Sequence, residues 1–179
     1  MLKKFIIASI LFVSGVVGLT FYDVWFNYNG SFLHYKHRVE TFPVPINVSD
    51  HRFEDLQGNQ HTIADYKGRP VLMLIWATWC GYCAGDMPKI AAFIKEHPNL
   101  ETVILPIASP DDQLVDIERF LARTKTTNQL DVFMNPARKI FRHIEIQGVP
   151  TYLFIDPEGK AVARGYLNWS DESVGKLVF

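Results

Sequence analysis

Two cysteines separated by two residues are the side chains of this 179-residue chain best suited to chemistry. Cys80 and Cys83 lie in the stretch WATWCGYC and are the only cysteines in the sequence. A C-x-x-C pair can form a structural disulfide, supply half of a metal site, or cycle between dithiol and disulfide. The spacing alone leaves all three roles open, so the flanking residues have to decide between them.

The segments on either side of the pair favour a redox role. Residues 71–78, VLMLIWAT, form a continuous apolar run, typical of a strand buried on both faces, and residues 84–98 carry apolar side chains at helical spacing. Cys80 is therefore predicted at the N-terminal end of a helix, where free N–H groups and the helix dipole stabilise a thiolate. Cys83, one turn later, is placed to attack a mixed disulfide at Cys80.

The other roles of a C-x-x-C pair fit this chain less well. A structural zinc site needs four ligands, and the chain has no further cysteine and no paired ligand spacing among its histidines. A purely structural disulfide across so small a loop removes little entropy from the unfolded chain. A binding module that holds copper with the same thiols stays open as the alternative, because thiolates suit Cu(I). The six histidines are His34, His37, His51, His61, His97 and His143.

The remaining patterns predict an α/β domain over residues 46–179. Strands that alternate with helices imply parallel crossovers, while the tight turn DPEG between the last two strands imposes an antiparallel pair. The expected fold is a mixed sheet with helices on both faces. The predicted elements around the cysteine segment are a hairpin within 53–63, strands at 101–108, 130–135, 149–156 and 160–166, a helix opened by Asp111 and Asp112, and a helix at 136–144.

The first forty residues differ in kind from the rest. After the basic start MLKK, residues 5–22 carry no charge, and extension to residue 26 gives enough length to cross a bilayer. We therefore predict a transmembrane anchor helix over residues 1–26, with the domain outside the cytoplasm, and a proline-containing linker over residues 27–45. A cleaved secretory signal is the alternative. Both readings place the domain in an oxidising compartment, where disulfides persist.

Composition and net charge limit the classes of molecule that this protein is expected to bind. The chain is 48% apolar and 13% aromatic, which excludes a disordered protein. Its 18 basic and 19 acidic residues leave a net charge of −1, so no long-range field attracts nucleic acid. Partners are expected to be selected by local shape and chemistry.

Two motifs resemble those of thioredoxin-like proteins. WATWCGYC is similar to their W-C-x-x-C motif, and GVPTYLFIDPEGK, residues 148–160, is similar to the segment that carries their cis-proline. Together with DLQGNQHTIADYKGRP and GDMP, the likeness covers residues 49–166. The chain most resembles the membrane-anchored TlpA, ResA and DsbE group of bacterial thiol-disulfide oxidoreductases. This resemblance implies a thioredoxin-like domain that exchanges disulfides with extracytoplasmic proteins.

The resemblance implies catalytic roles for three residues. Cys80 is expected to be the attacking cysteine and Cys83 the resolving one. Asp86 occupies the position where ResA-like members carry a glutamate, and a partly buried carboxylate there could accept the proton of Cys83. The acid that thioredoxin keeps six residues before its first cysteine is Leu74 here. A thioredoxin-style proton relay is therefore not expected.

Four further residues are expected to bind the substrate. Pro150 is the expected cis-proline facing the sulfurs, and the backbone of Val149 is expected to pair with an extended substrate segment. Trp79 should cover the motif from one side, and Tyr82 should present an apolar but hydrogen-bonding surface.

The resemblance also bears on direction and partners. It favours reduction of substrate disulfides over their oxidation, with no bound cofactor or metal. The expected partners are protein or peptide thiols and disulfides, and a membrane or periplasmic electron-transfer partner. The expected location is the bacterial inner membrane, crossed once, with the catalytic domain facing the periplasm or cell exterior.

Overall fold

A computed structural model describes residues 38–134, 136, 139–170 and 175 of the chain. The predicted anchor, residues 1–26, and residues 27–37 of the predicted linker lie outside the described part. Within that part, no helix has both the length and the apolar character that a membrane crossing requires.

The described residues contain one mixed sheet of eight strands. Its order is β1-β8-β7-β4-β5-β6-β2-β3. The β4–β5 and β5–β6 pairs are parallel, and all other neighbours are antiparallel. The predicted mixed sheet is confirmed. The strands are β1 (Arg38–Asn47), β2 (Arg52–Asp55), β3 (Gln60–Thr62), β4 (Val71–Trp76), β5 (Val103–Ala108), β6 (Phe133–Met134), β7 (Thr151–Ile155) and β8 (Lys160–Tyr166).

Helices cover both faces of this sheet, as the sequence predicts. They are a 3₁₀ helix (Ile63–Tyr66), α1 (Gly81–Glu96), α2 (Leu114–Thr124) and α3 (Lys139–His143). Alternate side chains of the fully buried strand β4 point to opposite faces. Leu72, Leu74 and Trp76 pack in one cluster with α1 and α2. Val71, Met73 and Ile75 pack in a second cluster with the 3₁₀ helix and α3.

Residues 38–45, predicted as part of a linker, instead belong to strand β1. The two prolines that suggested a linker, Pro43 and Pro45, are tolerated because β1 is an edge strand, where one row of N–H groups needs no partner. The β1–β8 register also shifts between Thr41 and Ile46, around the prolines. The domain therefore starts at or before residue 38 rather than at residue 46.

The close approach of β1 to β8 makes Gly165 a sensitive position. A Cβ atom there would lie 2.7 Å from Val39 Cα and closer still to the Arg38 carbonyl oxygen, so the β1 backbone would have to move. We expect Gly165→Ala to lower the free energy of unfolding by about 2 kcal/mol in urea denaturation.

Gly85→Ala is the matched control for Gly165→Ala. Gly85 is exposed within α1, and nothing lies within 4 Å of a Cβ placed on it. Because alanine is the better helix former, this variant should gain up to about 1 kcal/mol. Equal stability of the two variants would show that β1 does not depend on the close approach at Gly165.

Candidate active site

Cys80 lies where the central strand gives way to helix α1. Strand β4 ends at Trp76, and the Cys80 N–H donates to the Ala77 carbonyl oxygen at 3.1 Å, which closes a tight turn. Cys80 is the N-cap of α1, and its Sγ accepts the Cys83 N–H at 3.1 Å. A sulfur in this position receives both a hydrogen bond and the positive end of the helix dipole, so a Cys80 thiolate is stabilised.

The two cysteines form a disulfide with their Cα atoms 5.3 Å apart. Cys83 is fully buried, whereas Cys80 keeps 5% of its surface exposed. The small exposed edge of the pair therefore belongs to Cys80. This asymmetry agrees with Cys80 as the sulfur that meets substrate and Cys83 as the sulfur behind it.

The turn that leads into Cys80 is held by residues from the α2 region. Both oxygens of the buried Asp112 carboxylate accept hydrogen bonds from Thr78, one from its N–H at 3.1 Å and one from its hydroxyl at 2.6 Å. Arg123 Nη2 donates to the Thr78 carbonyl oxygen at 3.3 Å. Thr78 is thus bound through three of its polar groups, which fixes the residues immediately before Cys80.

Asp86 is buried, with 4% of its surface exposed, and lies one helical turn after Cys83 on α1. Its Oδ2 accepts the Tyr152 hydroxyl at 3.2 Å, and that hydroxyl accepts the Trp169 indole N–H at 2.7 Å. Burial raises the pKa of the Asp86 carboxyl to about 6, against smaller lowering effects of the Tyr152 hydrogen bond and the Lys89 charge. A carboxyl with this pKa can take up and release protons near neutral pH.

The peptide bond between Val149 and Pro150 is cis, as predicted. Val149 packs against the core cluster that contains both cysteines. Trp79 and Tyr82 flank Cys80 in the chain and are 74% and 63% exposed, among the most exposed large apolar side chains of the described residues. Aromatic side chains held in solvent are suited to contact another molecule.

A family model described as Redoxin matches residues 42–176 of this chain. The chain belongs to the Redoxin family. This family, its ResA relatives and the Cys80–Cys83 disulfide show that the protein is a thiol-disulfide oxidoreductase, as the sequence predicts.

Known proteins similar to this chain include thiol-disulfide oxidoreductases and a thioredoxin. It is 22% identical over 158 residues to the thiol-disulfide oxidoreductase ResA of Bacillus cereus, covering 88% of this chain and 84% of the relative. The thioredoxin domain of a Bacteroides vulgatus thiol-disulfide oxidoreductase superimposes with a TM-score of 0.63 at 22% identity, covering 77% and 100% of the two chains. The exposed lipoprotein thioredoxin Etrx1 of Streptococcus pneumoniae gives 0.59 at 26% identity, covering 71% and 96%. The predicted thioredoxin-like fold is confirmed.

Sequence reasoning missed three polar residues of this Redoxin site. Asp112 was expected to open a helix, but α2 begins at Leu114 with Gln113 as N-cap, and Asp112 binds Thr78 instead. The signal was available in part: Trp76 and Ala108 pair at the carboxyl ends of β4 and β5, so residues just after both strands meet. Tyr152 and Trp169 resembled ordinary core residues, and nothing in their local pattern indicated a link to Asp86.

The described residues contain no group of three or more histidine, cysteine or acidic side chains that could hold a metal ion. The thiols themselves are joined as a disulfide.

Proposed function

We propose that this Redoxin protein reduces disulfides in protein or peptide substrates through Cys80 and Cys83. The Cys80 thiolate attacks one sulfur of the substrate disulfide, a Cys80–substrate bond forms, and the other substrate sulfur leaves as a thiolate. The Cys83 thiolate then attacks Cys80 Sγ, which closes the protein disulfide and releases the second substrate thiolate. Two electrons pass from the protein to the substrate.

The observation that carries this proposal is the different environment of the two sulfurs. Cys80 Sγ accepts an N–H group at the start of α1, and the residue Cys80 keeps a small exposed surface, whereas Cys83 is fully buried. The thiolate is the reactive form of a cysteine, so the sulfur that is both stabilised as an anion and accessible attacks first. Cys83 is reached only by a sulfur already bonded to Cys80.

Asp86 supports the second step and also the direction of the reaction. A carboxyl one helical turn from Cys83, with a pKa raised by burial to about 6, can accept the Cys83 proton when Cys83 attacks. Its negative charge also disfavours a permanent Cys83 thiolate. Because a couple is more reducing when the thiolates of its reduced form are less stable, this effect of Asp86 favours reduction of substrates, against the opposite effect of the stabilised Cys80 thiolate.

The substrate is proposed to bind across Trp79, Tyr82 and the bend at Val149, just before strand β7. The two aromatic side chains supply exposed apolar area beside Cys80. The backbone of Val149, next to the cis peptide, is proposed to pair with an extended substrate segment. This surface suits an unfolded or flexible polypeptide better than a small thiol.

The domain is proposed to work outside the cytoplasm, tethered through residues 1–26 to the inner membrane. The uncharged run of residues 5–22 after a basic start supports this location. The oxidised protein then needs an electron donor that is itself in or near the membrane. Copper delivery by the same thiols is the competing function, and a metal that protects both thiols from alkylation would favour it.

The reduction potential of the Cys80–Cys83 couple tests the proposal. Purified protein would be equilibrated with glutathione mixtures, its free thiols alkylated, and the oxidised fraction measured by mass spectrometry. We expect a reduction potential close to that of thioredoxin, about −270 mV. A strong periplasmic oxidant would instead have a potential of about −120 mV. A value close to the oxidant would reverse the proposed direction, and thiols that never exchange with glutathione would refute the function.

Trp79→Ala tests the substrate surface. Loss of an exposed aromatic contact of about 1–2 kcal/mol should raise KM for insulin reduction about tenfold. The reduction potential should stay unchanged, since Trp79 is exposed and makes no bond to either sulfur. Val44→Ala is the control, because Val44 has the same exposed fraction, 74%, but lies on edge strand β1. An unchanged KM in Trp79→Ala would remove Trp79 from the substrate surface.

A further inference from the structure

Three buried polar side chains form a hydrogen-bonded chain behind the cysteines. Trp169 Nε1 donates to Tyr152 Oη at 2.7 Å, and Tyr152 Oη donates to Asp86 Oδ2 at 3.2 Å. All three residues are buried, and they come from the segment after β8, from β7 and from α1. Burying polar groups of this kind destabilises the folded protein unless their hydrogen bonds are made. The three hydrogen-bonded side chains are therefore a specific part of the core.

The chemistry of the three groups determines which of them donates each hydrogen bond. An indole N–H can only donate, so the Tyr152 oxygen must accept the bond from Trp169. Tyr152 has one proton, and that proton is then directed to Asp86 Oδ2. The other carboxyl oxygen, Oδ1, is left as the atom that can receive a proton. Burial and the nearby Asp86 charge raise the pKa of Tyr152 well above its ordinary value, so its hydroxyl stays a donor.

These hydrogen bonds also join helix α1, which carries the cysteine pair, to strand β7, which follows the cis-proline. Asp86 follows Cys83 by three residues, so both buried side chains lie on the same face of α1. Tyr152 follows the cis peptide bond at Pro150 by two residues and belongs to β7, which pairs with β4. A hydrogen bond from Tyr152 to Asp86 therefore ties the proton acceptor on the helix to the strand beside the substrate segment.

We infer that Tyr152, held by Trp169, is a positioning residue that orients the Asp86 carboxyl so that Oδ1 takes the proton of Cys83. The proton leaves Cys83 Sγ and binds Oδ1, while Tyr152 keeps its own proton and Trp169 keeps its N–H. This inference rests on the proposed function, in which Asp86 accepts that proton. It adds two residues to the site that no motif of the sequence indicates.

Removal of the Tyr152 hydroxyl tests the inference. Tyr152→Phe keeps the ring, and Trp169→Phe leaves the hydroxyl in place but free to turn. The Asp86 titration can be followed by ¹³C NMR of side-chain carboxyls in the oxidised protein, where the cysteines do not titrate, with Asp86→Asn identifying the signal. Since the lost bond favours the charged carboxyl, we expect the midpoint to rise by about one pH unit in Tyr152→Phe and by less in Trp169→Phe.

The pH dependence of activity must shift together with the Asp86 midpoint. The pH profile of insulin reduction should move upward with the Asp86 midpoint, with kcat lowered at pH 7 and KM unchanged. Other groups that bear on the Asp86–Tyr152 pair are Lys89 on α1 and Tyr166 on β8, and both are kept in all variants. Tyr66→Phe is the matched control, because Tyr66 packs in the cluster on the opposite face of the sheet and should change neither the midpoint nor the profile.

The possible outcomes distinguish the positioning role of Tyr152 from the proposed role of Asp86 as proton acceptor. Midpoints within about 0.3 pH unit of wild type in both variants, with Asp86→Asn still slow, would overturn the positioning role alone. A raised midpoint that the activity profile does not follow would also overturn it. Unchanged activity in Asp86→Asn would refute Asp86 as proton acceptor, and the inference would fail with it.

Discussion

Cys80→Ala is expected to lose insulin reduction by a factor on the order of 10³ or more, whereas Cys83→Ala should become a trap for its substrate. Without Cys80, the buried Cys83 offers no accessible sulfur for attack. Without Cys83, Cys80 still attacks, but no second thiolate closes the disulfide and releases the substrate. Non-reducing electrophoresis and intact mass should show a covalent Cys80–substrate adduct in Cys83→Ala that a reductant removes.

The double variant is the control for this pair. With both cysteines replaced by alanine, the protein should form no adduct and show no reductase activity, although the core on that side of the sheet stays apolar. An adduct in Cys80→Ala at the level seen in Cys83→Ala would reverse the two roles. Full insulin reduction in the double variant would show that neither cysteine takes part in it, and would refute the proposed redox mechanism.

The central part of the fold could be predicted because its signals are local. Strand β4 is a continuous apolar run, and the structure buries all six of its residues. The turn between β7 and β8 carries Gly159 at a φ of 83°, a conformation that glycine adopts without strain. Such features depend on a few neighbouring residues, so the sequence contains the whole argument for them.

The parts that could not be predicted depend on partners far away in the sequence. Strand β1 contains two prolines and becomes a strand only because β8 offers it an edge. The Tyr152–Asp86 hydrogen bond spans 66 residues, and the Thr78–Asp112 bonds span 34. A polar residue in an apolar run has no local signature of the group it will meet. The redox role of the cysteines could be predicted from the segments that flank them, and the cis-proline because a resemblance supplied it as a motif.

The site itself also depends on both local sequence patterns and contacts between residues far apart in the sequence. Local signals place Cys80 at the end of a strand and the start of a helix. Long-range contacts then fix what a local pattern leaves free: Asp112 holds the preceding turn, and Tyr152 holds Asp86. The predicted reactivity of Cys80 thus depends on the helix start, whereas the proposed proton transfer from Cys83 depends on the packing of three elements.

Asp86→Asn is expected to remove a pH dependence of stability in the oxidised protein. The carboxyl has a pKa raised by burial from 3.8 to about 6, so between these values the native state holds more protons than the unfolded state. The free energy of unfolding therefore falls as pH rises from about 4 through about 6. A shift of about two units corresponds to about 3 kcal/mol, all of it lost above the native pKa.

The asparagine side chain does not titrate, and its carbonyl oxygen can still accept the Tyr152 hydroxyl. The variant should therefore gain stability relative to wild type as pH rises from 4 to 7, by up to about 3 kcal/mol, since the cost of a buried charge is absent. Urea denaturation at several pH values measures this difference. Working with the disulfide intact keeps the cysteines out of the titration.

Asp55→Asn is the control with the opposite sign. Hydrogen bonds, chiefly from the Asn59 side chain, lower the pKa of Asp55 to about 2, so its contribution to stability is present above pH about 4 and is lost as pH falls through about 2. Because His61 Nε2 lies 3.4 Å from Asp55 Oδ2, the comparison is made in a His61→Gln background. The difference made by Asp55→Asn should then be constant between pH 5 and 7, the window in which Asp86 titrates. A flat difference for Asp86→Asn in that window would mean that Asp86 is ionised there without penalty, and an acid without a raised pKa would hold no proton from Cys83 at neutral pH.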